Sequence, residues 1–159
     1  MFKKTMTALV LMPVVGCGVA LAQDITTCKN PQGYAHFHHK GIVSERDSGW
    51  RENKITDGML TLNKIAPGKY DILMRDAGDS LRSFTQDGAE ILLLRKGSDD
   101  AAFYVAHSGG AIEIYNFWKS ADGKYYYDLL QSKGGNAAPI HVSSVMLGRC
   151  TSIDFNLIN

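Results

Sequence analysis

Residues 101–132, "AAFYVAHSGGAIEIYNFWKSADGKYYYDLLQS", contain three apolar runs separated by two pairs of turn residues. The first break holds Gly109-Gly110 and the second holds Asp122-Gly123. Both pairs readily adopt the positive φ angles that tight hairpin turns require. The runs between them are rich in Ile, Val, Tyr and Phe, which favour strands. This stretch therefore predicts three consecutive antiparallel strands joined by hairpins.

The same pattern of apolar runs separated by turn residues extends over most of the chain, from Met59 to Cys150. Turn residues recur about every 8–12 residues, for example at Ala66-Pro67-Gly68 and at Gln86-Asp87-Gly88. No apolar run is long enough before its next glycine to predict a helix. The pattern indicates an all-β protein, a single antiparallel β-meander of about eight or nine short strands that closes into a barrel or a sandwich.

The first 22 residues, "MFKKTMTALVLMPVVGCGVALA", have the layout of a secretory signal peptide. Two lysines precede a short apolar run, and Ala20-Leu21-Ala22 forms an A-x-A cleavage site. The run is shorter than the ~20 residues that a membrane-spanning helix needs. A lipoprotein leader is the alternative, because Val14-Val15-Gly16-Cys17 matches a lipobox and would place a lipid anchor on Cys17. Either route predicts a periplasmic or secreted protein with no integral membrane segment after processing.

Residues 23–159 then form a single exported β domain, since no repeat, low-complexity tract or linker divides them. Of the 17 basic residues, Lys3 and Lys4 leave with the signal peptide, so 15 remain beside 16 acidic residues. Nonspecific nucleic-acid binding needs an excess of basic residues, so we expect no nucleic-acid partner.

Two cysteines, Cys28 and Cys150, lie near the two ends of the exported domain. An even cysteine count in an exported protein predicts a disulfide. The chain lacks the C-x-x-C spacing of redox-active pairs, so we expect a structural bond between the first strand and the last.

The segment "YAHFHHK" at residues 34–40 holds three of the five histidines and is predicted to be the first strand. Side chains alternate along a strand, so His36 and His38 share one face and His39 lies on the other. Two such imidazoles could chelate a zinc or copper ion if His141, or else His107, supplied a third ligand. Against this, Lys40 on the same face would repel a cation. A surface that responds to pH is the milder alternative.

Aromatic residues are concentrated between Phe103 and Tyr127, where three consecutive strands could present rings to a sugar or lipid. The competing interpretation is that these rings form the core and ordinary cross-strand pairs. The segment 131–145 includes a longer loop, a type that often serves recognition in compact β domains. The candidate ligand surface consists of Tyr115, Trp118, Tyr126, Lys133 and Asn136.

No motif in the sequence predicts catalysis. Ser143 and Ser144 follow His141 on one strand, but no G-x-S-x-G elbow surrounds either serine. The sequence also lacks a phosphate-binding P-loop and an EF-hand-like loop. A hydrolase built on His141 and Ser143 is therefore only an alternative hypothesis.

Several spaced pieces carry a resemblance: "SGW" at residues 48–50, "GKYDILMRDA", and the run from "IYNFWKS" through "LLQSKGG" to "SSVMLGRC". Together they resemble a group of small exported proteobacterial proteins for which no activity is known. The resemblance covers residues 48–150 and implies export and a shared domain. The histidine segment lies outside these pieces.

These observations predict a binding or structural module of the periplasm, with no cofactor and with a small molecule, a glycan or a protein as partner. A histidine-based metal-binding protein is the alternative, followed by the hydrolase.

Overall fold

The computed structural model describes residues 22–76, 78, 80–136 and 138–159. The signal peptide predicted over residues 1–22, including Cys17, lies outside this part except for Ala22. The strands are β1 (Gln23–Gly41), β2 (Gly49–Lys54), β3 (Met59–Ala66), β4 (Lys69–Arg75), β5 (Arg82–Ser83), β6 (Glu90–Lys96), β7 (Asp100–Ala106), β8 (Ala111–Lys119), β9 (Tyr125–Lys133) and β10 (Ile140–Cys150).

The all-β prediction is confirmed: the strands form one curled antiparallel sheet that makes a half-barrel. Its order is β5-β4-β3-β1-β10-β9-β8-β7-β6, and β2 pairs with β1 beside β3. The two predicted hairpin turns fall between β7 and β8 and between β8 and β9, where Gly110 and Gly123 have φ angles of 85° and 81°.

The predicted first strand was too short. β1 begins at Gln23 and contains "YAHFHHK" only as its last part. Pro31 lies inside this strand, at a register shift between Lys29 and Gln32. Proline has no N–H to donate to the sheet, and an irregular position of this kind tolerates it.

Helical structure is limited to two 3₁₀ turns, Glu45–Asp47 and Phe155–Leu157, in the described residues. No helix in that part of the chain has the length and apolar character needed to cross a membrane.

Aliphatic and aromatic side chains on the inner face of the sheet form the core. The rings of Tyr70 on β4 and Phe103 on β7 are 5.0 Å apart and edge-on, although these strands lie near opposite ends of the sheet order. This contact shows how far the sheet curls. The C-terminal tail also packs inside, where Ile158 is fully buried and the Asn159 backbone N–H donates to the Tyr70 hydroxyl.

The predicted disulfide is present. Cys28 on β1 and Cys150 on β10 lie opposite each other and are bonded, so the bond joins the first strand to the last. Gly148 on β10 lets the Tyr127 ring pack against this end of the sheet, because a Cβ there would lie 2.1 Å from the Tyr127 Cε1 atom.

Candidate functional site

The outer face of the sheet carries a continuous line of apolar side chains, here called the apolar row. Each member lies directly opposite the next on neighbouring strands, where Cβ atoms are about 4.5–5.5 Å apart. Val145 is 52% exposed and Leu130 is 46% exposed. The row crosses six strands and consists of Tyr34, Val145, Leu130, Ile114, Tyr104 and Leu92.

Trp50 on β2 extends the apolar surface beside this row. Its side chain is 65% exposed, and its ring lies 5.2 Å from the His36 ring in an edge-on arrangement. A shallow groove of about 300 Å³ lies between Trp50 and the row, and its lining residues include Ile112, Ser132 and Ser143. We call it the Trp50 groove. Its lining combines large apolar side chains with the hydroxyls of three serines, Ser132, Ser143 and Ser144.

The histidine pair predicted from the sequence forms next to this groove. His36 and His38 share a face, with their rings 5.0 Å apart. The His38 Nε2 atom is within hydrogen-bond distance of the Ser143 hydroxyl, at 3.1 Å. His141 does not join them: its ring lies against Gly134, where a Cβ would come within 3.2 Å of the His141 Nδ1 atom.

The described residues contain no group of three or more His, Cys, Asp or Glu side chains arranged to hold a metal ion. The pair therefore stands without the third ligand that the zinc or copper hypothesis requires. The hydroxyl of Ser143 pairs with His38 rather than with His141, so the pairing that the hydrolase hypothesis needs is not formed.

The predicted ligand surface separates into three places. Trp118 and Tyr126 stack on the outer face, with ring centroids 4.9 Å apart. Tyr115 is fully buried in the core, so its inclusion in a surface was wrong; it points inward because it alternates with the outward-facing Ile114. Lys133 lies at the far end of β9 from Tyr126, about 23 Å away at the usual rise per residue. Asn136 is exposed in the loop that follows Lys133.

Beneath the apolar row, the inner face holds a buried carboxylate that sequence reasoning missed. Glu113 on β8 is 5% exposed. Its Oε1 atom accepts a hydrogen bond from the Gln131 amide at 2.6 Å, and its Oε2 atom accepts from the Tyr115 hydroxyl at 2.8 Å. His107 Nε2 lies 3.0 Å from the same Oε2 atom and donates to it, since a carboxylate has no hydrogen to give.

Burial alone would raise the pKa of the Glu113 carboxyl, but hydrogen bonds from His107, Gln131 and Tyr115 outweigh it and hold this pKa below its ordinary value. Burial and the adjacent Glu113 charge raise the pKa of the Tyr115 hydroxyl well above its usual value. The tyrosine therefore stays protonated and can donate. The network ends at Ser144, whose hydroxyl donates to the Gln131 carbonyl oxygen.

A signal for Glu113 was present in the sequence. In "AIEIYNFWK" it has the same parity as Tyr115 and Phe117, the two aromatic residues that reach the core. A charged residue at an inward position of an alternating strand indicates a buried polar network. The apolar row had no such signal, because its members come from six different strands.

Comparison with known protein families, with curated proteins and with solved structures gives no match.

Proposed function

We propose that this chain is an exported binding module that docks onto a protein partner through the apolar row and the Trp50 groove. The observation that carries the proposal is the continuity of outward-facing apolar side chains across six neighbouring strands, of which all but the half-buried Tyr104 are exposed. Isolated exposed apolar residues are normal on any protein, whereas contiguous patches mark interaction surfaces.

The shape of this surface favours a protein over a small molecule. Small-molecule sites are concave and enclose most of the ligand. The Trp50 groove is shallow, and the apolar row lies on the open outer face of the sheet. A protein partner can cover such a face without a deep pocket.

The composition of the surface also favours a protein partner. Protein interfaces have apolar, aromatic-rich centres and polar rims. Trp50, Val145 and Leu130 form the apolar centre, and His38 with Ser143 lies at its edge.

Export is part of the proposal and is supported by the leader-like N-terminus and by the Cys28–Cys150 disulfide. Disulfides persist in oxidising compartments such as the bacterial periplasm. The disulfide also links β1 and β10, the two strands that carry Tyr34 and Val145 of the apolar row.

The test is photo-crosslinking in cells that produce the protein natively. A photoreactive phenylalanine analogue replaces Val145 in one variant and Leu130 in another. Lys69, which is exposed at the start of β4, is replaced in the matched control. We expect discrete protein adducts from positions 145 and 130 and none from position 69.

An adduct with twice the mass of the chain would identify a second copy as the partner, and any other discrete mass would identify a different protein. The adduct from position 130 should disappear when Trp50→Ser is introduced and persist with Lys69→Gln, at the exposed start of β4. The proposal fails if all three positions give the same pattern or if neither surface position gives an adduct.

A further inference from the structure

A second surface lies at the disulfide end of the sheet and carries a local excess of positive charge. Here a groove of about 690 Å³ opens beside Cys150. We call it the cationic groove. Its charged lining residues are Lys29, Lys54, Arg149 and a single carboxylate, Asp57, and its uncharged ones are Asn30, Gln32, Thr56, Cys150 and Thr151.

Two of its cations face each other across neighbouring strands. Lys29 on β1 is directly opposite Arg149 on β10. Like charges at such positions destabilise a sheet, and natural pairs are more often of opposite charge. Among the residues that the structure describes, neither side chain forms an ion pair, and Lys54 forms none either. In the described part of the chain, no ion pair with a carboxylate therefore offsets the repulsion between Lys29 and Arg149.

The β1 bulge that lines one part of the groove is held in place by hydrogen bonds to a neighbouring turn. β1 bulges between Lys29 and Gln32, and Asn30 adopts the left-handed conformation with a φ angle of 52°. The Asn30 N–H donates to the Gly58 carbonyl at 2.9 Å, and the Asn30 side-chain oxygen accepts from the Asp57 N–H at 3.0 Å. These bonds tie the bulge to the turn between β2 and β3, so the groove is a fixed feature of the fold.

The positive charge is concentrated at the groove and is not a property of the whole chain. Over the full sequence, 17 basic residues are nearly balanced by 16 acidic ones. A protein that binds polyanions through general electrostatics shows a broad basic surface. Three cations gathered around one groove in a nearly neutral chain are better suited to one small anionic group.

We infer that the cationic groove binds a phosphate group. The Arg149 guanidinium can donate two parallel hydrogen bonds to phosphate oxygens, while Lys29 and Lys54 supply flexible point charges. Hydroxyls of Thr56 and Thr151 are further donors that line the same groove. A bound phosphate would relieve the repulsion between Lys29 and Arg149. The inference goes beyond the proposed protein docking, which uses different residues.

The first experiment is a titration of the protein with inorganic phosphate, followed by two-dimensional amide NMR. We expect shifts confined to residues 29–32, 54–57 and 149–151. Arg149→Gln and Lys29→Gln should each weaken binding by about tenfold or more, the loss expected for one charge-assisted hydrogen bond. Lys69→Gln, at the exposed first position of β4, is the matched control and should bind as the wild type does.

Thermal unfolding keeps the test valid if a variant changes stability. Phosphate should raise the melting temperature of the wild type and of Lys69→Gln, and should leave that of the Lys29→Gln/Arg149→Gln variant unchanged. Without phosphate, removal of the facing charges should not lower the melting temperature.

A second arm distinguishes the source of the phosphate. The protein is mixed with phosphatidylglycerol vesicles and, separately, with phosphatidylcholine vesicles, and is then floated. Flotation with the first alone, lost in Lys29→Gln/Arg149→Gln, identifies a lipid headgroup. Phosphate binding without flotation identifies a free phosphate-bearing ligand. If phosphate causes no localised shifts, or if the variants bind as tightly as the wild type, the inference is wrong. These outcomes do not depend on crosslinking at Val145 or Leu130.

Discussion

The three neighbouring strands β8, β9 and β10 have opposite hydrophobic patterns at their two ends. Near the disulfide, Phe117 and Tyr127 are buried on the inner face, while the outer face holds the hydrogen-bonded Asn116 and Asp128 beside the half-buried Trp118–Tyr126 stack. This is the ordinary arrangement of a sheet with one face in the core. Folding alone explains it.

The other end of the same strands is reversed. Glu113 and Gln131 face inward and hydrogen-bond to each other, while Ile114, Leu130 and Val145 face outward. A sequence under selection for stability alone would place the apolar residues inside. Proteins depart from such local rules mainly at functional sites. The reversed end is therefore where we propose that a partner docks.

The largest expected effect tests the ordinary end. Phe117→Ala should lower the free energy of unfolding by about 3–5 kcal/mol, because it removes a fully buried ring and leaves a cavity. Guanidinium denaturation with the disulfide intact measures it. Ile114→Ala, on the outer face of the same strand, is the control and should cost at most about 1 kcal/mol. Equal losses from the two substitutions would mean that the inner and outer faces are not distinguished as described.

The second prediction concerns the inner face of the reversed end, where Glu113 is buried. Glu113→Gln should lower the free energy of unfolding at pH 7 by about 1–3 kcal/mol, because a neutral amide cannot accept from His107, Tyr115 and Gln131 as a carboxylate does. The folded-state pKa of Glu113 lies below its unfolded value, so the stabilisation is complete above about pH 4.5. It is lost as the pH falls through the folded-state pKa.

The measurement is denaturation of the wild type and of Glu113→Gln from pH 7 downward. The difference in stability between them should shrink once the pH is below about 4.5. Glu52→Gln, at an exposed position on β2, should follow the wild type throughout. A constant difference at all pH values would show that ionisation of Glu113 does not contribute.

Local chemistry made much of the fold predictable from the sequence. Gly110 and Gly123 adopt the positive φ angles expected of their turns, and the strands begin and end around them. The start of β1 was not predictable in this way, because Pro31 and Gly33 within it are typical of turns. The bulge at Asn30 is instead fixed by Gly58 and Asp57, which come more than 25 residues later.

The candidate site was less predictable, since it depends on strand order. Tyr34 meets Val145, and Val145 meets Leu130, only because β1 inserts between β3 and β10. Nothing in the local sequence around Tyr34 indicates those neighbours. The stacking of Trp118 on Tyr126 was closer to prediction, because one hairpin joins their strands.

The smallest effect on stability is expected at the outer side of the reversed end. Val145→Thr keeps the shape and strand preference of the side chain, and the residue is 52% exposed. We expect the free energy of unfolding to change by less than about 0.5 kcal/mol. Crosslinking from a photoreactive residue at position 130 should nevertheless weaken, because the hydroxyl would have to be desolvated against an apolar partner.

The same substitution at Val105 provides the matched control, because that side chain is fully buried on the inner face. Val105→Thr should cost about 1–3 kcal/mol, since the new hydroxyl is buried. If Val145→Thr destabilised the protein as much as Val105→Thr does, the exposed valine would be needed to stabilise the folded state. The reversal of the pattern would then need no partner to account for it. A stable Val145→Thr protein with weakened crosslinking would instead mean that the outer valine contributes to docking and hardly at all to folding.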